Sequence, residues 1–67
     1  MFEVNGVKYE SVNTAVITIM DLLMAEEPNI TEAKARAIAK DCLLSAIEFG
    51  TWYYHRNVIV TFNACNK

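Results

Sequence analysis

The sequence predicts an α+β domain: an N-terminal β-hairpin, two antiparallel α-helices, and a C-terminal strand or hairpin, in the order ββααβ. Three observations carry this. Asn5-Gly6 divides two short alternating runs, Pro28 separates two stretches of helical periodicity, and the segment after Gly50 is rich in aromatic and β-branched residues. Both strand regions are apolar on one face only. Both helices are therefore expected on that face of a single antiparallel sheet.

The hairpin follows from turn chemistry. Asn-Gly supplies the positive φ angles that a two-residue type I′ turn needs. Its register then pairs Val4 with Val7, Glu3 with Lys8 and Phe2 with Tyr9. The four apolar side chains share one face, and the Glu3–Lys8 pair takes the other.

The first helix is expected from about Val12 to Glu27. Ser11 or Asn13 is placed to cap its start, and Pro28 ends it, because the residue before proline avoids the helical region. Val12, Val16, Ile19 and Leu23 recur at helical spacing, and Ile17, Met20 and Met24 widen the stripe. The polar stripe is narrow: Thr14, Thr18 and Asp21. A helix this apolar needs cover over most of its circumference.

The second helix is expected from Glu32 to Phe49. Thr31 is the N-cap, with Glu32 near the positive end of the helix dipole, and Gly50 fits the C′ position. The buried stripe reads Ala35, Ile38, Ala39, Cys42, Ala46 and Phe49. Its alanines allow a neighbouring helix to approach closely. Lys34, Asp41 and Glu48 form one solvated edge, Arg36 and Lys40 another. Leu44 and Ile47 fall between these edges, where water is expected.

Thr51 to Asn63 reads as strand. Trp52, Tyr54, Val58, Val60 and Phe62 share a face, and Tyr53, His55, Asn57, Ile59 and Thr61 take the other. An unbroken strand of about twelve residues spans about 40 Å. A compact domain of this length has a radius of gyration of only about 11 Å. The segment is therefore expected to turn at His55-Arg56-Asn57, to bulge there, or to project and pair with another chain. For residues 51–55 a second reading stays open, as the end of the second helix, since Phe49, Trp52, Tyr53 and Arg56 also fit helical spacing.

Composition bounds the rest. At 67 residues the whole chain, 1–67, is expected to be one small domain. An apolar fraction of 54% and a net charge of −2 argue against disorder. The longest apolar stretch, Val12 to Ala25, is interrupted by Asn13, Thr14, Thr18 and Asp21, so no membrane span is expected. No basic segment followed by an apolar run opens the chain, so no secretory leader is expected either. Two cysteines, Cys42 and Cys65, are too few for a disulfide scaffold, and both are expected reduced in a cytoplasmic protein. Residues 1–30 sum to −4 and residues 31–67 to +2. Neither half carries the like-charge block of a nucleic-acid-binding arm.

No enzyme chemistry is expected. His55 is the sole histidine, and nothing in the spacing brings Cys42 or Cys65 to it. No metal site is expected, because His55 and Cys65 lack the paired spacing of a zinc site, and adjacent Glu26 and Glu27 diverge on a helix. The two glycines sit at turns, which removes the phosphate-binding loops, and no cofactor is expected. Asn29-Ile30-Thr31 fits a glycosylation acceptor pattern but reads better as turn and N-cap.

Two surface readings remain. Tyr53, His55 and Arg56 could stack weakly on single-stranded nucleic acid, although the net negative charge makes nucleic acid the lesser expectation. Better supported is a protein interface. Met20, Met24, Leu44, Ile47, Tyr53 and Ile59 exceed what so short a chain can bury, and aromatic and Met side chains are typical of interface cores. The plainer alternative is the ordinary scatter of apolar residues on any small protein. The sequence thus predicts a small non-enzymatic regulator or inhibitor. It occludes a partner protein's surface, as a homodimer, in the manner of small bacterial or phage-encoded inhibitors. A structural subunit of a larger assembly is the further alternative.

Overall fold

Asn5 (φ 53°) and Gly6 (φ 87°) reverse the chain between β1 (Phe2–Val4) and β2 (Val7–Tyr9), in a computed structural model that describes residues 1–54 and 58–63. Their paired positive φ values are the signature of the expected turn. The register matches as well: Phe2 opposite Tyr9, Glu3 opposite Lys8, Val4 opposite Val7. Val7 nevertheless stays 54% exposed. It points to the apolar face, but β2 is an outer strand and little lies over it.

Helix α1 runs Val12–Glu26 and α2 runs Glu32–Phe49. Ser11 occupies the N-cap of α1 without a side-chain capping bond, so neither expected capping side chain acts as one; the Ser11 carbonyl accepts from Ala15 N–H at 3.1 Å. Thr31 caps α2 as expected, its Oγ1 accepting from the Lys34 N–H at 3.2 Å. Gly50 closes α2 with φ +89°, a backbone state that side chains disfavour, while its N–H donates to the Ala46 carbonyl.

After Gly50 the chain forms β3 (Thr51–Tyr54), not a further helical turn, and then β4 (Val58–Phe62). These pair antiparallel, Trp52 opposite Val60 and Tyr54 opposite Val58. The segment therefore folds back on itself, and the idea of one over-long strand projecting to another chain is corrected. Length alone did not force this: the molecule's longest dimension is 41 Å, with a radius of gyration of 11.2 Å. Cross-strand pairing of Trp52 and Tyr54 with Val60 and Val58 covers apolar surface that a lone strand leaves wet.

The sheet order is β2-β1-β4-β3, all antiparallel, with both helices on one face. Phe2, Val4, Val58 and Val60 are buried beneath the helices, with Trp52, Tyr54 and Phe62 partly buried beside them. From α1 the core takes Ala15, Val16, Ile19, Met20 and Leu23; from α2 it takes Ala35, Ala39, Cys42, Leu43 and Ala46. Three expectations are corrected here. Met20 is 6% exposed and belongs to the core, because α1 packs against both the sheet and α2 and so buries more than one row of side chains. Val12, at the first turn of α1, is 56% exposed. Phe49, in the last turn of α2, is 64% exposed and stacks on Trp52 at 5.6 Å between ring centroids; Leu43 fills the core in its place.

This assignment is checked by paired substitutions. Met20→Ala is expected to cost about 2–4 kcal/mol in urea denaturation, the range for emptying a core position. Leu44→Ala should change stability by less than about 0.5 kcal/mol, as at an exposed site. Equal costs would contradict the placement of Met20.

Candidate apolar groove

The expected interface residues separate into three places. Leu44 (64% exposed) and Ile47 (50%) lie together on the outer side of α2. Tyr53 and Ile59 face each other across β3 and β4 on the sheet face opposite the helices. Met24 is exposed near the C-terminal end of α1, about 18 Å along the helix from Val12 at 1.5 Å per residue. His55 and Arg56, the other members of the nucleic-acid reading, lie outside the described residues, as does Cys65.

The first place is concave. Where the start of α1 meets the second half of α2, a groove of about 480 Å³ opens. Its floor is Phe2, Phe62, Val16 and Leu43; Phe2 and Phe62 pack ring to ring at 5.1 Å. Val12 forms one wall, Leu44 and Ile47 the other. Asn13, Arg36 and Lys40 complete the lining.

Its electrostatics are one-sided. Two cations and no acidic residue line the groove, although the chain carries more acids than bases. Arg36 meets Glu32 at 3.8 Å, one helical turn away, an exposed pair of the kind worth well under about 1 kcal/mol. Lys40 makes no ion pair among the described residues. Arg36, Lys40 and Leu44 follow one another at i, i+4, i+8, so a single row on α2 leads from charge to apolar surface.

The sequence pointed to Leu44 and Ile47 but missed Val12, whose spacing matched the core stripe. It also left Arg36 and Lys40 as a solvated edge. The helical spacing between Lys40 and Leu44 was the available signal.

Other chemistry is sparse. No group of three potential metal ligands occurs among the described residues. No described helix is long and apolar enough to cross a membrane. Cys42 is buried in α2, and that burial pushes its thiol up to about 11, with the neighbouring Asp41 carboxylate adding to the shift. A thiol so placed is protonated near neutrality and a poor nucleophile.

The sign of the linked stability is fixed. The folded state holds the Cys42 proton more tightly than the unfolded chain, whose thiol titrates near 9.0. Its contribution is complete below pH 9 and is lost as pH rises toward about 11. Cys42→Ala is expected to flatten the stability loss over that window, read as denaturation midpoints at several pH values. Parallel curves for the two proteins would contradict it.

No family model matches the chain, and searches of curated proteins and of solved structures find no match.

Proposed function

We propose that this chain is a non-enzymatic regulator or inhibitor that binds a protein and occludes its working surface, acting as a cytoplasmic homodimer. The observation that supports this reading best is the groove. Large apolar side chains stand at its walls at half or greater exposure, at a cost in solvation that a partner's apolar side chains relieve. A floor packed from both helices and the sheet keeps the shape preformed, which lowers the ordering cost of binding. Two helices flanking an apolar trough suit an amphipathic helix laid into it, with apolar anchors over Val12, Leu44 and Ile47. The lining cations favour an occupant carrying carboxylates beside those anchors.

The nucleic-acid reading has less behind it. Among the described residues the open sheet face offers one aromatic ring, Tyr53, on the same face as the acidic Glu3. Single-stranded sites normally combine several stacking rings with a positive groove.

Leu44→Lys tests the groove directly. The variant should keep the wild-type unfolding midpoint, because Leu44 is solvent-exposed, yet lose a partner that the wild-type bait retains. Affinity capture from the native host with both baits, followed by mass spectrometry, reads the difference. Identical capture by the two baits would remove the groove from the function.

A further inference from the structure

The sheet has two outer strands, and they are built differently. β2 is three residues long and carries Lys8 at its centre, features that discourage addition of another strand. β3 reads Thr51-Trp52-Tyr53-Tyr54, with no charge and no proline. Among the described residues no strand lies beyond it.

Hydrogen-bond alternation decides which backbone groups of β3 are free. In β4 the Phe62 N–H donates to the Gly50 carbonyl at 3.0 Å, whereas the Ile59 carbonyl accepts from Asn5 on the opposite side. Even-numbered residues of β4 therefore turn their backbone groups to β3, and odd-numbered ones turn theirs to β1. Trp52 and Tyr54, opposite Val60 and Val58, direct N–H and C=O inward to β4. Thr51 and Tyr53 direct theirs outward, off the edge of the sheet.

We propose that this edge binds β3 of a second copy of the chain, antiparallel, about a twofold axis at Trp52. Residues opposite one another in an antiparallel pair share a face of the sheet. That axis satisfies the rule: Thr51 of each copy falls opposite Tyr53 of the other, and the two Trp52 residues face each other. The two outward N–H and two outward C=O groups of each copy then meet their complements in four N–H···O=C bonds. The helices of both copies stay on one side of a continuous eight-stranded sheet. On that side the Trp52 rings, each stacked on an exposed Phe49, close over the axis; on the other, Tyr53 covers Thr51 of the second copy. No charged side chain of β3 opposes the approach. This inference rests on the homodimer reading and specifies its interface. The groove, lined from β1, β4 and the helices, remains open to a different protein.

The test combines sedimentation across a wide concentration range with amide hydrogen exchange on the full chain. Mass should rise from one chain to two. Over the same range the Thr51 and Tyr53 amides should gain protection, while those of Trp52 and Tyr54 are protected throughout. Tyr53→Pro deletes an N–H that points off the edge of the sheet and bonds nothing among the described residues of one copy, and should weaken the dimer by at least about tenfold. Tyr53→Lys keeps every backbone group, so it remains informative if the proline variant fails to fold; the same weakening is expected from charge beside the axis. A dimer that survives the variants, or whose Thr51 and Tyr53 amides still exchange freely, overturns the edge assignment and leaves the homodimer standing. A single-chain mass at every concentration overturns both, without touching the groove's separate test.

Discussion

The pairing of β1 with β4 is the constraint on which the rest of this structure depends. It sets Phe2 opposite Phe62 and Val4 opposite Val60, joining segments from opposite ends of the sequence. Each hairpin alone is a two-stranded ribbon, marginal in water. Joined, the hairpins make a four-stranded sheet with one apolar face wide enough to seat two helices. The seam is reinforced at both ends. Asn5 N–H donates to the Ile59 carbonyl and Asn5 Oδ1 accepts from the Ile59 N–H, both at 2.9 Å. At the other end the Asn63 N–H donates to the Met1 carbonyl, and its side-chain amide donates to Glu3 at 2.7 Å. Asn5 therefore serves twice, as a turn residue with positive φ and as the clasp between hairpins.

Helix packing follows from that seam. The core-facing alanines of α2, Ala35, Ala39 and Ala46, are fully buried, so α2 lies close to its neighbours. Close approach leaves little volume for large side chains. The core is filled instead by Ile19, Met20, Leu23 and Leu43, with the sheet residues below. Large apolar residues at the ends of the helices stay exposed: Val12 at the start of α1, Ile47 and Phe49 at the end of α2. Part of the chain's apolar richness therefore lies at exposed helix ends rather than in the core.

Two different kinds of unsatisfied surface result. The groove presents apolar side chains with cations beside them, and suits a partner that brings apolar anchors and carboxylates. The β3 edge presents backbone donors and acceptors in strict alternation, and suits another strand. The two surfaces do not share residues, so one copy can use both at once. In such an arrangement the twofold places two grooves on one scaffold, which raises the effective concentration of the second for any partner with two binding segments.

The sequence by itself determined the local elements. Asn5-Gly6, Thr31, Pro28 and Gly50 act through the backbone of a few neighbouring residues, so the hairpin register and the start of α2 were legible without a fold, while a helical continuation through 51–55 stayed open until β3 was seen to pair with β4. The inner face of the C-terminal strands was legible too, because a period of two needs no partner to define it. Tertiary structure decided what those local rules leave open. Met20 and Met24 look alike in sequence, yet one is core and the other exposed, because burial depends on where α2 and the sheet end. Val12 fits the buried stripe but lies in the first turn of α1, at the rim of the core, and stays exposed. The groove joins residues from four elements, and its lining exists only once β1 and β4 have met beneath the helices. Burial, edges and concavities are properties of long-range packing, and one-dimensional periodicity carries no record of them.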